Sequence, residues 1–118
     1  MTISSTTEMP LIQDLAQRLK ILADPTRLRI FNLLMEGTRC NCELGDALGL
    51  APNLISHHLG VLRQANLVDA ERDSVDARWV YYSINGDALN HLRSALEMFF
   101  DPARIQSRQP QCDVPTGS

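Results

Sequence analysis

The chain has 118 residues, of which 44% are hydrophobic and 5% aromatic, and it carries a formal net charge of −3. This length is typical of a single domain, and the aliphatic composition favours helices over a β-sandwich. The negative charge argues against a broadly basic surface for nucleic acid. The sequence has no run of about 18 apolar residues to span a membrane, and its polar start lacks the pattern of a secretion signal. We therefore expect a cytoplasmic protein whose three cysteines are thiols.

Apolar residues at helical spacing predict a first helix over residues 11–22, preceded by a polar, disordered arm at residues 1–10. Asp24 and Pro25 have the residue types of an N-cap followed by proline at the first helical position. The second helix, which they begin, is predicted to end near Glu36. Its expected apolar face consists of Leu28, Ile30, Phe31, Leu33, Leu34 and Met35.

Two short helices joined by a tight turn are predicted next. The first covers about residues 42–48 and ends at Gly49, and the second begins with Pro52 at its first helical position. The inward-facing residues of the first helix are expected to be Leu44, Ala47 and Leu48. Those of the second recur at i, i+4 and i+7, and are Ile55, Leu59 and Leu62. Asn66 is expected to end the second helix in the left-handed conformation.

The spacing of apolar residues then changes from that of helices to that of strands. Residues 67–72 and 78–84 are predicted to form two strands joined by a polar loop. Asn85 is expected to cap a last helix that ends near residue 100. The predicted fold is therefore mainly α with a two-stranded β-wing, which is a winged helix-turn-helix.

One domain is predicted over residues 11–100, where the helical and strand patterns lie. Residues 101–118 contain prolines and few apolar side chains, so they are predicted to form a flexible tail. This tail carries Cys112, the cysteine farthest from the other two. The sequence shows no internal repeat and no low-complexity segment.

The outer face of the helix that begins at Pro52 is polar, which suits contact with DNA, and a helix N-terminus attracts phosphate. The candidate DNA-contacting residues of this helix and the wing are Asn53, Ser56, His57, Gly60, Arg63, Arg72 and Arg78. The arginines are candidates for phosphate contacts, and Gly60 would let the backbone approach closely. His58 points toward the buried face instead, and is predicted to be a hydrogen-bonded structural histidine.

Cys40 and Cys42 lie at the start of the first helix of this pair. Thiolates are soft donors that suit As(III), Sb(III), Cd(II), Pb(II), Hg(II) and Zn(II). In a regular helix, residues i and i+2 point about 200° apart, so these cysteines can converge only at a helix start. The helix N-terminus and Arg39 would both favour the thiolate form. Cys112 is the remaining cysteine, and the roughly 12 residues between it and the last helix could reach on the order of 40 Å.

Five segments carry a recognisable pattern: residues 24–30 (DPTRLRI), 40–44 (CNCEL), 55–62 (ISHHLGVL), 66–68 (NLV) and 80–84 (VYYSI). In this order they resemble the ArsR/SmtB family, over roughly residues 11–100. The resemblance implies a homodimeric winged helix-turn-helix repressor that binds operator double-stranded DNA near genes for metal or metalloid resistance. In this family, binding of a ligand weakens the affinity for DNA and turns transcription on.

The resemblance also implies an inducer. The cysteine pair matches the family's metal motif before the recognition helix, which indicates As(III) or Sb(III) bound by Cys40 and Cys42. A site with three thiolates would need Cys112 as well, since it is the only other cysteine. The arsenic-sensing motif often has a third cysteine three positions after the second, where this chain has Gly45. Cadmium-type members borrow cysteines from an N-terminal arm, and residues 1–10 contain none. A repressor that responds to Cd(II) or Pb(II) is the alternative within the family.

Zinc-type members of the family use aspartate and histidine on the last helix. The corresponding helix here has Asp87, His91 and Glu97, but no second histidine toward its C-terminal end. The zinc site is therefore incomplete, and His91 is predicted to be a surface residue.

Functions of other classes compete with metalloid sensing. A thiol redox or sulfane-sulfur sensor on the same fold would switch through a disulfide or polysulfide between Cys42 and Cys112. A winged helix used only for protein contacts would account for the negative charge. An enzyme is disfavoured, because no nucleophile–base pair is placed by spacing and no glycine-rich phosphate loop is present.

Overall fold

A computed structural model describes residues 5–108, with side chains from Leu11 onward. The elements in chain order are α1 (Ser5–Leu22), α2 (Pro25–Met35), β1 (Arg39–Cys40), α3 (Asn41–Leu48), α4 (Pro52–Gln64), β2 (Val68–Arg72), β3 (Val80–Ile84) and α5 (Gly86–Phe99). The predicted fold class is confirmed: α3 and α4 form a helix-turn-helix, and the β2–β3 hairpin forms the wing. Within residues 5–108, no helix has the length and apolar character needed to cross a bilayer.

The predicted helix ends are confirmed where capping side chains define them. The Asp24 carboxylate accepts a hydrogen bond from the Thr26 N–H at 2.9 Å, at the start of α2. The Asn85 side-chain oxygen accepts one from the Ala88 N–H at 2.9 Å, at the start of α5. Asn66, just after α4, has a φ of 61°, which is the left-handed conformation expected for it. Local side-chain chemistry therefore fixes these three boundaries.

The hydrophobic core surrounds the inner face of α4. Ile55, Leu59 and Leu62 are each 0% exposed, as the sequence predicted. They pack in one cluster with residues from the neighbouring elements: Ile21, Ile30, Phe31, Leu34, Leu44, Leu67, Val68 and Ala88. Because α4 contributes three of the fully buried side chains, its orientation is set by the core, and its opposite face is presented to solvent.

The predicted apolar face of α2 is partly wrong. Ile30, Phe31 and Leu34 are buried, whereas Leu28 and Met35 are 52% and 53% exposed. At about 100° per residue, these two lie roughly 100–120° around the helix from Leu34, the centre of the buried face. The helix carries more apolar residues than one face can bury, and spacing alone did not identify the face that packs.

The starts of two helices also differ from the prediction. α1 begins at Ser5, whereas the sequence predicted a start at residue 11. Each residue added to an existing helix gains one hydrogen bond, and the unfavourable first turn does not have to form again. A polar segment can therefore lengthen a helix that apolar residues stabilise. α3 begins at Asn41 with Cys40 as its N-cap, and Ala47 of that helix is exposed rather than inward-facing.

The wing belongs to a three-stranded antiparallel sheet with the order β1-β3-β2. β2 and β3 pair along their full lengths, as predicted. Strand β1 was not predicted from the sequence; in it Arg39 pairs with Tyr82 and Cys40 pairs with Tyr81. A two-residue strand exists only because a partner strand is present, so its own sequence gives little signal. Its position joins Cys40 directly to the wing.

The predicted tail begins with ordered structure. A single 3₁₀ turn, Pro102–Arg104, follows α5. Arg104 donates hydrogen bonds to the carbonyl oxygens of Phe99, at 2.6 Å, and Met98, at 3.4 Å. A cation near the last carbonyls of a helix is favourable, so this side chain caps α5. Cys112 lies outside the described residues.

Candidate functional site

The outer face of α4 presents the residues predicted to contact DNA. Asn53, Ser56, His57 and Gly60 are all exposed on one side of the helix. A Cβ atom added at Gly60 would meet no atom within 4 Å, so the surface there is open. Ala51, the N-cap of α4, offers no side-chain acceptor to the first N–H groups of the helix. This helix end is therefore able to donate to an anion.

A close turn sets α3 against α4. The Leu50 N–H donates to the Gly45 carbonyl at 3.0 Å, and Gly49 has a φ of 67°. A Cβ at Gly45 would lie 3.3 Å from the Leu50 carbonyl oxygen. Any side chain at residue 45, including the cysteine of the family's three-cysteine motif, would press on this turn. The glycine that removes a potential thiol thus also permits the tight junction.

His58 is a buried histidine in a polar network, as predicted. Its side chain is on α4, and the residue is 8% exposed. Its Nδ1 lies 3.3 Å from Arg27 Nη1 and 3.9 Å from the Asp24 carboxylate. Arg27 also donates from Nε to the Ile21 carbonyl at 2.8 Å. The network therefore joins the end of α1, the start of α2 and the middle of α4.

The two wing arginines are already engaged within the wing. Arg78 forms an ion pair with Asp76 at 2.7 Å, and Arg72 donates to the Ala77 carbonyl at 2.7 Å. The hydrogen bonds from Arg78 hold the pKa of Asp76 below its usual value, and the same contact raises the pKa of Arg78. Arg63, in the last turn of α4, is exposed. The structure thus gives the three predicted phosphate contacts different surroundings.

Cys40 and Cys42 lie on the two sides of the α3 start. Cys40 is 4% exposed and has extended backbone angles, φ −84° and ψ 163°, whereas Cys42 is exposed in the first turn. The 200° separation that applies within a helix therefore does not apply to this pair. The Cys40 N–H donates to the Glu43 carboxylate at 2.8 Å. Hydrogen bonds from Cys40 hold the pKa of Glu43 below its usual value.

A cleft of about 390 Å³ contains both cysteines, and we call it the cysteine cleft. It is lined by Cys40, Cys42, Glu43, Asp46, Trp79 and Tyr81. Partial burial, together with the negative charges of neighbouring groups, raises the pKa of Tyr81. The cysteines were predicted from the sequence to form a site, but neither aromatic residue was, because only the β1–β3 pairing brings the wing strand close to them.

No third donor joins the cysteine pair within the part of the chain that the structure describes. Among those residues, no group of three histidine, cysteine, aspartate or glutamate side chains is placed to hold a metal ion. On α5, Asp87, His91 and Glu97 are all exposed, so the prediction of a surface His91 is confirmed. The cysteine cleft thus supplies two thiols, and the proposed third ligand, Cys112, stays a prediction.

A family model described as "Bacterial regulatory protein, arsR family" matches residues 24–70. The chain is 34% identical to an arsenical resistance operon repressor of Bacillus subtilis, over 75% of this chain and 82% of that one. It is 43% identical to the arsenical resistance operon repressor of Escherichia coli, over 58% and 57% of the two chains.

Among solved structures, a homodimeric winged helix-turn-helix DNA-binding domain of Mycobacterium bovis has a TM-score of 0.65 and 28% identity. The similarity covers 87% of this chain and 93% of that domain. Together with the helix-turn-helix and wing described above, these similarities show that the chain belongs to the ArsR family of DNA-binding transcriptional repressors.

Proposed function

We propose that this repressor responds to a metalloid. As a homodimer it binds operator double-stranded DNA, and it leaves the DNA when As(III) or Sb(III) binds the thiolates of Cys40, Cys42 and Cys112. The observation that carries the proposal is the position of the cysteine cleft, at the junction of α3 with the wing. The relatives named as arsenical resistance repressors support the choice of inducer.

DNA recognition rests on α4. In a dimer, two such helices would enter successive major grooves one helical turn apart. Asn53, Ser56 and His57 would contact base edges or phosphates, and Gly60 would let the helix approach closely. Arg63 would contact a phosphate from the last turn of the helix. The buried inner face of α4 supports this role, because a rigidly packed helix holds its polar side chains in a fixed register.

Dimer formation is supported by the surface shared by α1 and α5. Leu11, Ile12, Met98 and Phe100 are exposed there, between 44% and 67%. A cavity of about 440 Å³ lies between the two helices and is lined mostly by apolar residues. Exposed apolar patches of this kind are typical of protein contacts. The homodimeric Mycobacterium bovis relative makes a second copy of the chain the favoured partner.

The donor set fits a soft, thiol-binding inducer. Thiolates are the preferred ligands of As(III) and Sb(III) among protein side chains, and Cys42 is open to solvent at the mouth of the cleft. With arsenous acid, each As–S bond forms as one thiol proton and one hydroxide leave together as water.

Cys40 is placed to transmit binding in two directions. It is the N-cap of α3, which packs on α4, and it pairs with Tyr81 in β3 of the wing. Drawing Cys40 toward Cys42 would disturb both the hydrogen bond to Glu43 and the β1–β3 pairing. Both DNA-contacting elements would then shift. A coupling of roughly 1–3 kcal/mol, or about 5- to 150-fold in affinity, is typical of such linkage.

Fluorescence anisotropy on labelled upstream DNA tests the proposal. Arsenite, cadmium, lead and zinc are added separately under reducing conditions, and peroxide and polysulfide without reductant. Release by arsenite at one equivalent per site supports the metalloid proposal. Release only by cadmium or lead supports the alternative inducer, and release only by peroxide or polysulfide supports a thiol redox sensor. An absence of salt-sensitive DNA binding would indicate a winged helix used for protein contacts.

The wing makes a separate prediction about DNA affinity. We expect Asp76→Asn to bind operator DNA more tightly, because Arg78 loses its partner and becomes free to contact a phosphate. One added phosphate contact steepens the dependence of log affinity on log salt by about 0.9. Glu97→Gln, which removes the same charge from the exposed face of α5, is the control. If log affinity depends equally on log salt in Asp76→Asn and in the control, Arg78 does not contact a DNA phosphate.

A further inference from the structure

The polar network of Asp24, Arg27 and His58 has a feature beyond packing. The Arg27 guanidinium donates from Nη1 toward His58 Nδ1 at 3.3 Å, so that ring nitrogen acts as the acceptor. A guanidinium has no lone pair to offer, and therefore the contact requires an unprotonated Nδ1. The histidine is 8% exposed, and Arg27 has a side chain that is 17% exposed. Water can therefore replace the contact only poorly.

Protonation of His58 would convert this contact from a hydrogen bond into a repulsion between two cations. Within the described residues, the charged or titratable groups that face the ring are Arg27 from α2, Asp24 at the N-cap of α2, and His57 from α4 itself. The Asp24 carboxylate lies 3.9 Å from Nδ1, but it also pairs with Arg27 at 3.6 Å and caps α2. One shared carboxylate cannot fully neutralise two neighbouring cations.

We propose that Arg27 and His58 form a proton-sensitive latch, which holds α4 in its DNA-binding orientation and releases it when His58 is protonated. Both are positioning residues: neither lies on the DNA face, and His58 acts through the helix that carries Asn53 and Ser56. The latch is a second input to the repressor, separate from the cysteine cleft. It rests on the proposed function only in that operator binding is what it would modulate.

Protonation of the neighbouring histidine, His57, should have the opposite effect on DNA binding. His57 is exposed on the DNA face of α4, and its ring lies 5.3 Å from that of His58. Protonation of His57 adds a positive charge toward the phosphates and should strengthen binding. Protonation of His58 should weaken it. The net pH dependence of the wild type is therefore a difference between two opposed effects, which single variants can separate.

Operator affinity measured from about pH 5.5 to about pH 8, where histidine side chains ordinarily titrate, tests the latch. Each protein is compared with itself across pH at constant salt. We expect His57→Gln to lose affinity about tenfold at the acid end, because only the weakening effect remains. His57→Gln combined with His58→Asn should lose less than twofold, since asparagine keeps an acceptor for Arg27 but takes up no proton.

Superimposable profiles for His57→Gln and the double variant would overturn the latch. Thermal unfolding over the same pH range decides the question without DNA. The wild type should lose more stability toward pH 5.5 than His58→Asn, because a protonated ring would face the Arg27 guanidinium at 3.3 Å, whereas asparagine stays neutral. Equal losses would overturn the latch as well. If the wild type binds no operator at any pH, the proposed function fails, while the unfolding comparison still decides the latch.

Discussion

We expect Leu59→Ala to lower the free energy of unfolding by roughly 2–5 kcal/mol, the range found for large-to-small substitutions in cores. Leu59 is 0% exposed and belongs to the core cluster, which also contains residues of α1, α2, α3, β2 and α5. Removing its side chain loses the burial of the apolar atoms and leaves a cavity. Since domains of this size have only about 5–15 kcal/mol of total stability, this change removes a large part of it.

Urea unfolding followed by far-ultraviolet circular dichroism measures the effect, at one protomer concentration because a dimer's stability depends on it. Leu54→Ala is the matched control. It removes the same atoms from the same helix, but Leu54 is 41% exposed, so we expect a loss below about 1 kcal/mol. Similar losses for the two variants would mean that α4 does not pack through the Leu59 face.

The second large effect concerns sensing. We expect Cys42→Ser to bring the factor by which arsenite weakens operator binding close to one, from the roughly 5- to 150-fold coupling typical of allosteric proteins. A serine hydroxyl is a hard, weakly acidic donor and does not replace a thiolate toward As(III). Anisotropy titrations with and without arsenite give this factor, each variant being measured against its own affinity without arsenite.

Two further variants make this test specific. Asp46→Ser changes a neighbouring residue of the cysteine cleft without removing a thiol, and it should keep the arsenite response. Cys40→Ser should lose the response while retaining the α3 N-cap, because serine is a favoured N-cap residue. A Cys42→Ser protein that arsenite releases from DNA as readily as the wild type would refute the role of this thiol.

The parts of the fold that sequence predicted are those that local chemistry specifies. Asp24 and Asn85 have the side chains that cap helices, and their hydrogen bonds span two or three residues. Ile55, Leu59 and Leu62 recur at the helical period, so their burial followed from spacing. The same spacing predicted the polar face of α4, because the residues between the buried positions must lie on the opposite side of the helix.

The parts that sequence did not predict depend on residues far apart in the chain. β1 exists only through pairing with β3, about 40 residues later. The Arg27–His58 contact joins positions 31 residues apart, and no local sequence pattern predicts it. The engagement of Arg78 by Asp76 depends on the shape of the wing turn. Each of these features requires the packed structure, and each affects the candidate site.

The cysteine cleft contains an optical probe of its own. Trp79, the single tryptophan of the chain, lines the cleft beside both cysteines and is 39% exposed. Indole emission responds to changes in polarity and to nearby heavy atoms, so an arriving ligand should alter it. Titration of the DNA-free protein would count ligands per protomer without any label. Stopped-flow mixing would then show whether the ligand enters the cleft before the DNA leaves.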